Sequence, residues 1–113
     1  MKVIIAGKRD YYKYEAVQEA VKASGFVITE EVSGAASGVD ALGEKWAKDN
    51  NVPIKRFPAD WGKNGKAAGP IRNKQMADYA EALIALWDGN SKGTANMIMQ
   101  ARNAGLKVFV YKI

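Results

Sequence analysis

Along the chain, short apolar runs alternate with longer stretches in which apolar residues return every three or four positions. Val3-Ile4-Ile5-Ala6, closed by Gly7, reads as a buried strand. Tyr14, Val17 and Val21 follow at helical spacing, and Gly25 supplies a C-terminal stop. The run from Val27 to Val32 is a weaker strand that ends at Ser33-Gly34. Val39, Leu42, Gly43, Trp46 and Ala47 form one helical stripe, with Lys45, Lys48 and Asp49 turned the other way. Ile54 to Phe57 is a short strand halted by Pro58, and a loop runs from Asp60 to Lys66. Gly69, Arg72, Asn73, Met76, Ala77 and Ala80 share the next stripe, and Ala82 to Trp87 is the clearest strand. Thr94, Met97, Ile98, Ala101 and Gly105 make the last stripe before a closing strand from Lys107 to Tyr111. Strict alternation of strand and helix predicts an α/β fold. Its five-stranded, mainly parallel sheet carries helices on both faces, because parallel neighbours need helical crossovers. With neither internal repeat nor linker, residues 1–113 read as a single domain.

Composition narrows the chemistry. The chain has no Cys and no His, which removes disulfides, thiol nucleophiles, imidazole bases and Cys- or His-ligated metals. Catalysis would have to come from carboxylates, Lys, Arg, Tyr, hydroxyls or backbone amides. Nothing implies a metal site. The opening residues are too short for a signal peptide, and no run of about 18 apolar residues occurs. The expectation is a cytoplasmic chain with no membrane contact.

Charge is local. The formal net charge is +5, and all of that excess lies in residues 55–74. There Lys55, Arg56, Lys63, Lys66, Arg72 and Lys74 face Asp60 alone, while the remaining residues balance. Such a segment fits closure over a compact anion, or simply a solvated basic loop.

In open parallel sheets, ligands bind beyond the carboxyl ends of the strands, where strand order reverses. Three turns in this sequence reach that edge. They are Gly7-Lys8-Arg9-Asp10, then Ser33-Gly34-Ala35-Ala36-Ser37-Gly38-Val39-Asp40, and Asp88-Gly89-Asn90-Ser91-Lys92-Gly93-Thr94. Glycine lets backbone N–H groups approach an anion, and helix N-termini present unpaired donors. The hydroxyls of Ser33, Ser37, Ser91 and Thr94 add to these. Read without a ligand, the same turns are tight connections with Ser or Asp as helix caps. Arg72 and Asn73 lie on the apolar stripe of their helix, so Arg72 meets either a carboxylate (Asp10, Asp40 or Asp88) or a ligand phosphate. Asp40 and Glu44, four residues apart, are weak candidates for a general base or for ribose contacts; a solvated acidic face fits the spacing equally. Trp46 and Trp87 read as packing residues, whereas Trp61 stands in a Gly/Lys loop where a base could stack.

Those turns, together with Phe57-Pro58-Ala59-Asp60-Trp61 and Gly69-Pro70-Ile71-Arg72-Asn73, resemble in order the motifs of a small YspA-like family. That family sits in the SLOG superfamily, which groups the DNA-processing protein DprA with the LOG phosphoribohydrolases. The resemblance spans essentially the whole chain. It implies a Rossmann-like, three-layer α/β/α fold of bacterial or phage origin, with a nucleotide-derivative site at the glycine-rich edge. With the turns, the basic segment and the α4 stripe read as above, the candidate ligand-binding set is Gly7, Lys8, Arg9, Asp10, Ser33, Gly34, Ser37, Gly38, Asp40, Lys66, Arg72, Asn73, Asp88, Ser91, Gly93 and Thr94. Lys8 stands where the family usually has Ser, and Ser37 where it usually has Arg. LOG enzymes follow their second glycine turn with a catalytic Glu, but residues 89–113 contain no Asp or Glu, so that hydrolytic mechanism does not carry over.

The first expectation is therefore binding of a nucleotide or an NAD/ADP-ribose-like ligand, as sensor, carrier or sponge, with no other cofactor. The alternatives are an N-glycosidase using Glu44 or Asp40, and a DprA-like nucleic-acid module using Lys55, Lys63, Lys66 and Lys74. By analogy with the superfamily a homo-oligomer is expected, either burying helix surfaces that carry Trp46 or Met97 and Met99, or completing the pocket with a partner's loop.

Overall fold

The computed structural model describes residues 1–113. Its strands are β1 (Lys2–Gly7), β2 (Glu30–Ser33), β3 (Ile54–Arg56), β4 (Ala82–Trp87) and β5 (Lys107–Lys112). They pair in the order β3-β2-β1-β4-β5, and every pairing is parallel. The helices are α1 (Tyr14–Ser24), α2 (Val39–Asp49), the single turn α3 (Trp61–Asn64), α4 (Ala68–Tyr79) and α5 (Lys92–Asn103). None is long and apolar enough to cross a membrane.

Alternation along the central strands makes two cores. Val3 and Ile5 point to one face, where Val17, Ala20 and Val39 of α1 and α2 cover them. Ile4 and Ala6 point to the other, against Met76, Ala77, Met97 and Ile98 of α4 and α5. Each buried Val, Ile and Met among them contributes about 1.5–3 kcal/mol, so the two cores together hold the sheet edge in place. Met97 is 1% exposed and belongs to this packing, which removes it from any association surface; Met99 is half exposed.

Two predicted elements differ. The second strand starts at Glu30, not Val27, because β1 begins only at Lys2 and offers no ladder further back. Val27 and Thr29 instead hydrogen-bond to Met1, and the Val27 side chain stays exposed. The loop from Asp60 to Lys66 is helical. Asp60 caps α3 by accepting from the Lys63 amide at 3.0 Å, and a 3-10 turn (Gly65–Ala67) leads into α4. A single turn carries too few residues for a period, and Gly62 and Gly65 mask it.

The chain runs outward from β1 to β3 and then returns to β4 on the opposite side of β1. The reversal therefore lies between β1 and β4. Their register sets Gly7 opposite Leu86, so the turn after β1 and the turn after β4 open side by side.

Candidate functional site

Above that reversal lies a cleft of about 750 Å3. Ala6 and the turn Gly7–Asp10 form one wall, and the turn from Asp88 into α5 forms the next. The first residues of α4 close it, with Trp61 at the mouth.

On the β1/β4 side the charges are matched within the protein. Lys8 Nζ lies 3.3 Å from Asp88 and 3.7 Å from Asp10. The hydrogen bond to Asp88 is the main reason the Lys8 ammonium titrates above its usual range. Asp88 also accepts from the Asn90 and Ser91 amides at 2.8 and 2.9 Å, and those donors pull its carboxyl below the usual range. Ser91 caps α5, with its hydroxyl 3.0 Å from that of Thr94. Ser91 thus forms the helix cap expected of the turn when read without a ligand. What this turn leaves for an anion are the amides of Lys92 and Gly93, which have no intrahelical acceptor in the first turn of α5.

On the α4 side the balance is different. Arg72 is 8% exposed. Its Nε donates to Asn73 Oδ1 at 3.0 Å, and Nη1 donates to the Gly34 carbonyl. No carboxylate lies within 4.0 Å of the guanidinium, and Nη2 has no protein acceptor. Asn73 is itself held by Gly93 O at 3.3 Å and Asn96 Oδ1 at 3.0 Å, so α5 orients Arg72 through it. Close approach explains Gly34: a Cβ there would sit 2.7 Å from both Arg72 Nη1 and Asp40 Oδ2. Gly38 needs its glycine for conformation as well, with φ 71° and a Cβ that would fall 2.3 Å from Lys8 O.

Asp40, 6% exposed, reaches the cleft and accepts from the Ala36 amide at 3.2 Å. Burial pushes its carboxyl up to about 6, against the pull of that amide and of Arg72. The solvated acidic face allowed by the spacing does not form. Glu44 is also buried, but it faces away from the cleft: one oxygen accepts from Ser33 Oγ at 2.6 Å and the other pairs with Arg56 at 2.5 Å. That leaves Asp40 as the one buried carboxyl in the cleft.

The structure brings Gly7, Lys8, Arg9, Asp10, Asp40, Arg72, Asn73, Asp88, Ser91, Gly93 and Thr94 together on the cleft. Gly34 and Ser37 line a neighbouring cavity, and Ser37 Oγ donates to Arg9 O. Ser33 and Gly38 lie behind these walls as supports. Lys66 stands on the 3-10 turn outside both cavities, and of the basic segment only Arg72 enters the cleft. Lys55 lies over the Phe57 and Tyr79 rings. Sequence reasoning passed over Asn96 and Lys92 as lining residues; Asn96 lies one turn beyond Gly93 on α5, a position that helical spacing alone could have flagged.

It also passed over Glu31. This residue is fully buried in β2, and neither carboxylate oxygen has a partner. Oε2 lies where a Cβ on Gly43 would come within 3.2 Å, so α2 presents a glycine to it. Burial, reinforced by Asp40 and Glu44, raises its carboxyl to about 9. A strand position flanked by another Glu gave no sign that its side chain turns inward.

Fold and cleft together define a Rossmann-like α/β protein whose open edge is built around a buried guanidinium. Comparison with known proteins makes the assignment specific. The model of the YspA, cpYpsA-related SLOG family matches residues 1–63. The Gene 61 protein of Mycobacterium phage D29 is 31% identical over 119 residues, covering 95% of this chain and 93% of its own. The chain belongs to the YspA, cpYpsA-related SLOG family. Among solved structures, DNA processing protein A (DprA) from Streptococcus pneumoniae superimposes with a TM-score of 0.77 at 20% identity, over 96% of this chain. The chain spans about half the length of that DprA chain (49%), and the likeness is one of fold. The family match ends before Arg72, so the α4 and α5 walls of the cleft lie outside it.

Proposed function

We propose that the cleft binds a nucleotide or nucleotide derivative through its phosphate, with Arg72 as the principal contact. Membership in the SLOG family supports a nucleotide-related role in general terms. The observation that carries the finer reading is Arg72 itself: a buried guanidinium fixed by two neutral acceptors, with one terminal nitrogen left without partner at the cleft. Burial of this cation is offset only in part by Asp40, which lies beyond ion-pair distance, and an incoming phosphate would add to that offset while accepting two charge-assisted hydrogen bonds. The Lys92 and Gly93 amides stand on the facing wall, where they would receive the remaining oxygens.

Isothermal titration of the protein with nucleoside mono-, di- and triphosphates, NAD and cyclic nucleotides tests this. At least one should bind in the micromolar range; no binding tighter than millimolar across the panel contradicts it. An affinity that grows with oligonucleotide length and falls steeply with salt would instead favour nucleic acid on the exposed Lys63, Lys66 and Lys74.

A second reading, cleavage of an N-glycosidic bond, is favoured by Asp40. A buried carboxyl with a value near 6 at the cleft can exchange a proton at neutral pH. Base release from a bound nucleotide, followed chromatographically and lost in Asp40→Asn with binding retained, would support it. No release from any bound nucleotide by the unmodified protein would end it.

A further inference from the structure

Away from the cleft, the least satisfied surface is the sheet edge formed by β5. This strand ends the sheet and pairs only with β4. It runs for six residues, against three for β3 at the opposite edge. Lys107 and Ile113 donate their amides inward, to the carbonyls of Glu81 and Trp87. By the strand's period of two, Val108, Val110 and Lys112 turn their N–H and C=O groups outward, where no strand meets them. Beside this edge lies an apolar groove of about 280 Å3 lined by Trp87, Ala95, Ile98, Met99, Arg102 and Asn103. It shares no residue with the cleft. Val108 and Val110 pair with Leu83 and Ala85, which belong to the core under α5, so they face the same side as the groove. Met99 is 49% exposed and Val110 36%.

Charge indicates what would cover this face. Lys107 and Lys112 stand exposed at the two ends of β5, and Arg102 stands at the groove. None of the three has a carboxylate within 4.0 Å, and residues 89–113 contain no Asp or Glu. A second copy fits poorly, because antiparallel pairing of β5 with itself about its centre sets Lys107 opposite Lys112 at both ends. Nucleic acid would meet the cations but leave Met99 and the valines uncovered. We propose that this edge docks an extended segment of a partner protein, apolar in the middle and acidic at both ends. The segment adds a strand to β5, its alternate apolar side chains cover Val110 and Met99, and its carboxylates meet Lys107, Arg102 and Lys112.

The probe is the synthetic peptide Glu-Glu-Val-Ile-Val-Phe-Glu-Glu, titrated into labelled protein while backbone amide signals are followed by NMR. It should bind at about 100 μM or tighter, with the largest shifts at Val108, Val110 and Lys112. The same peptide with every apolar residue replaced by Ser should bind about tenfold weaker or more. Lys107→Glu combined with Lys112→Glu should cost about tenfold as well, and that variant should accept the peptide carrying Lys in place of each Glu. Equal binding of the Ser peptide would overturn the proposal in favour of unspecific attraction. Tighter binding of a single-stranded oligonucleotide at the same amides would assign the edge to nucleic acid instead. Shifts of those amides with protein concentration alone would assign it to a second copy. Peptide shifts confined to other elements, or no binding tighter than millimolar, would also overturn it. The peptide pair on the unmodified protein decides the matter even if the double variant does not fold.

Discussion

The two sides of the cleft solve the same electrostatic problem in different ways. On the β1/β4 side Lys8, Asp10 and Asp88 neutralise one another near the surface, and the turn into α5 satisfies its own hydroxyls. On the side built by β2, α2 and α4, the two buried ionisable groups that line the cleft have their demands only partly met. Arg72 has no carboxylate within ion-pair distance, and Asp40, the carboxyl that acts on it, is held near 6 by burial. A matched cluster has little left to give a ligand, whereas an unmatched one stores free energy that binding can release. Placement of charge, more than its amount, therefore selects the site.

Substitutions can break this contrast at its strongest point. Gly34→Val should push Arg72 and Asp40 apart, costing about 1–3 kcal/mol from overpacking and lowering nucleotide affinity about a hundredfold or more. Chemical denaturation and titration measure both; an affinity within threefold of the original would show that the Arg72 geometry is not what matters.

Glu31→Met should move the other way. Removing an unpartnered buried carboxyl for a side chain of similar volume should raise stability by about 1–3 kcal/mol at pH 8. Because the folded-state value near 9 lies above the ordinary 4.5, the folded chain holds a proton that the unfolded chain has lost. Stability should thus fall as pH rises through that window, by up to about 1.4 kcal/mol per pH unit. Urea midpoints measured between pH 5 and 9 should show this slope in the unmodified protein, and a shallower one in Glu31→Met and Glu31→Gln.

A smaller effect should come from Asp40. Below its value near 6 the carboxyl is neutral, and Arg72 then attracts a phosphate without competition. Affinity for ADP-ribose, whose charge is constant here, should drop about three- to tenfold from pH 5 to 7. In Asp40→Asn that dependence should flatten. Smallest of all, Lys8→Ala should change nucleotide affinity by no more than about threefold, since its charge is already committed. A large loss there would move the site to the β1/β4 wall.

Much of the fold was legible because strand and helix periods do not overlap: Val3-Ile4-Ile5-Ala6 and Ala82 to Trp87 cannot be read as amphipathic helices of useful length. The cleft was legible as a place, since glycine turns mark carboxyl strand ends. Its internal accounting was not. Glu44 and Asp40 share a helical face in sequence, yet Arg56 and Ser33 claim one while Gly34 leaves room for the other. The inward turn of Arg72 was legible from the helical phase of α4, but that Lys66, in the same basic segment, stays outside was not, because its 3-10 turn gave no period to read. Ser91 spends its hydroxyl on a cap, a choice made by backbone geometry that residue type does not reveal.

The most direct test of the account is Arg72→Ala, with nucleotide affinity and thermal unfolding measured on the same preparation. The account predicts an affinity loss of about 1.5–3 kcal/mol, roughly 10- to 150-fold, as a charge-assisted phosphate contact disappears. Unchanged affinity with a lowered melting temperature would contradict it, and would make Arg72 a strut between β2 and α4.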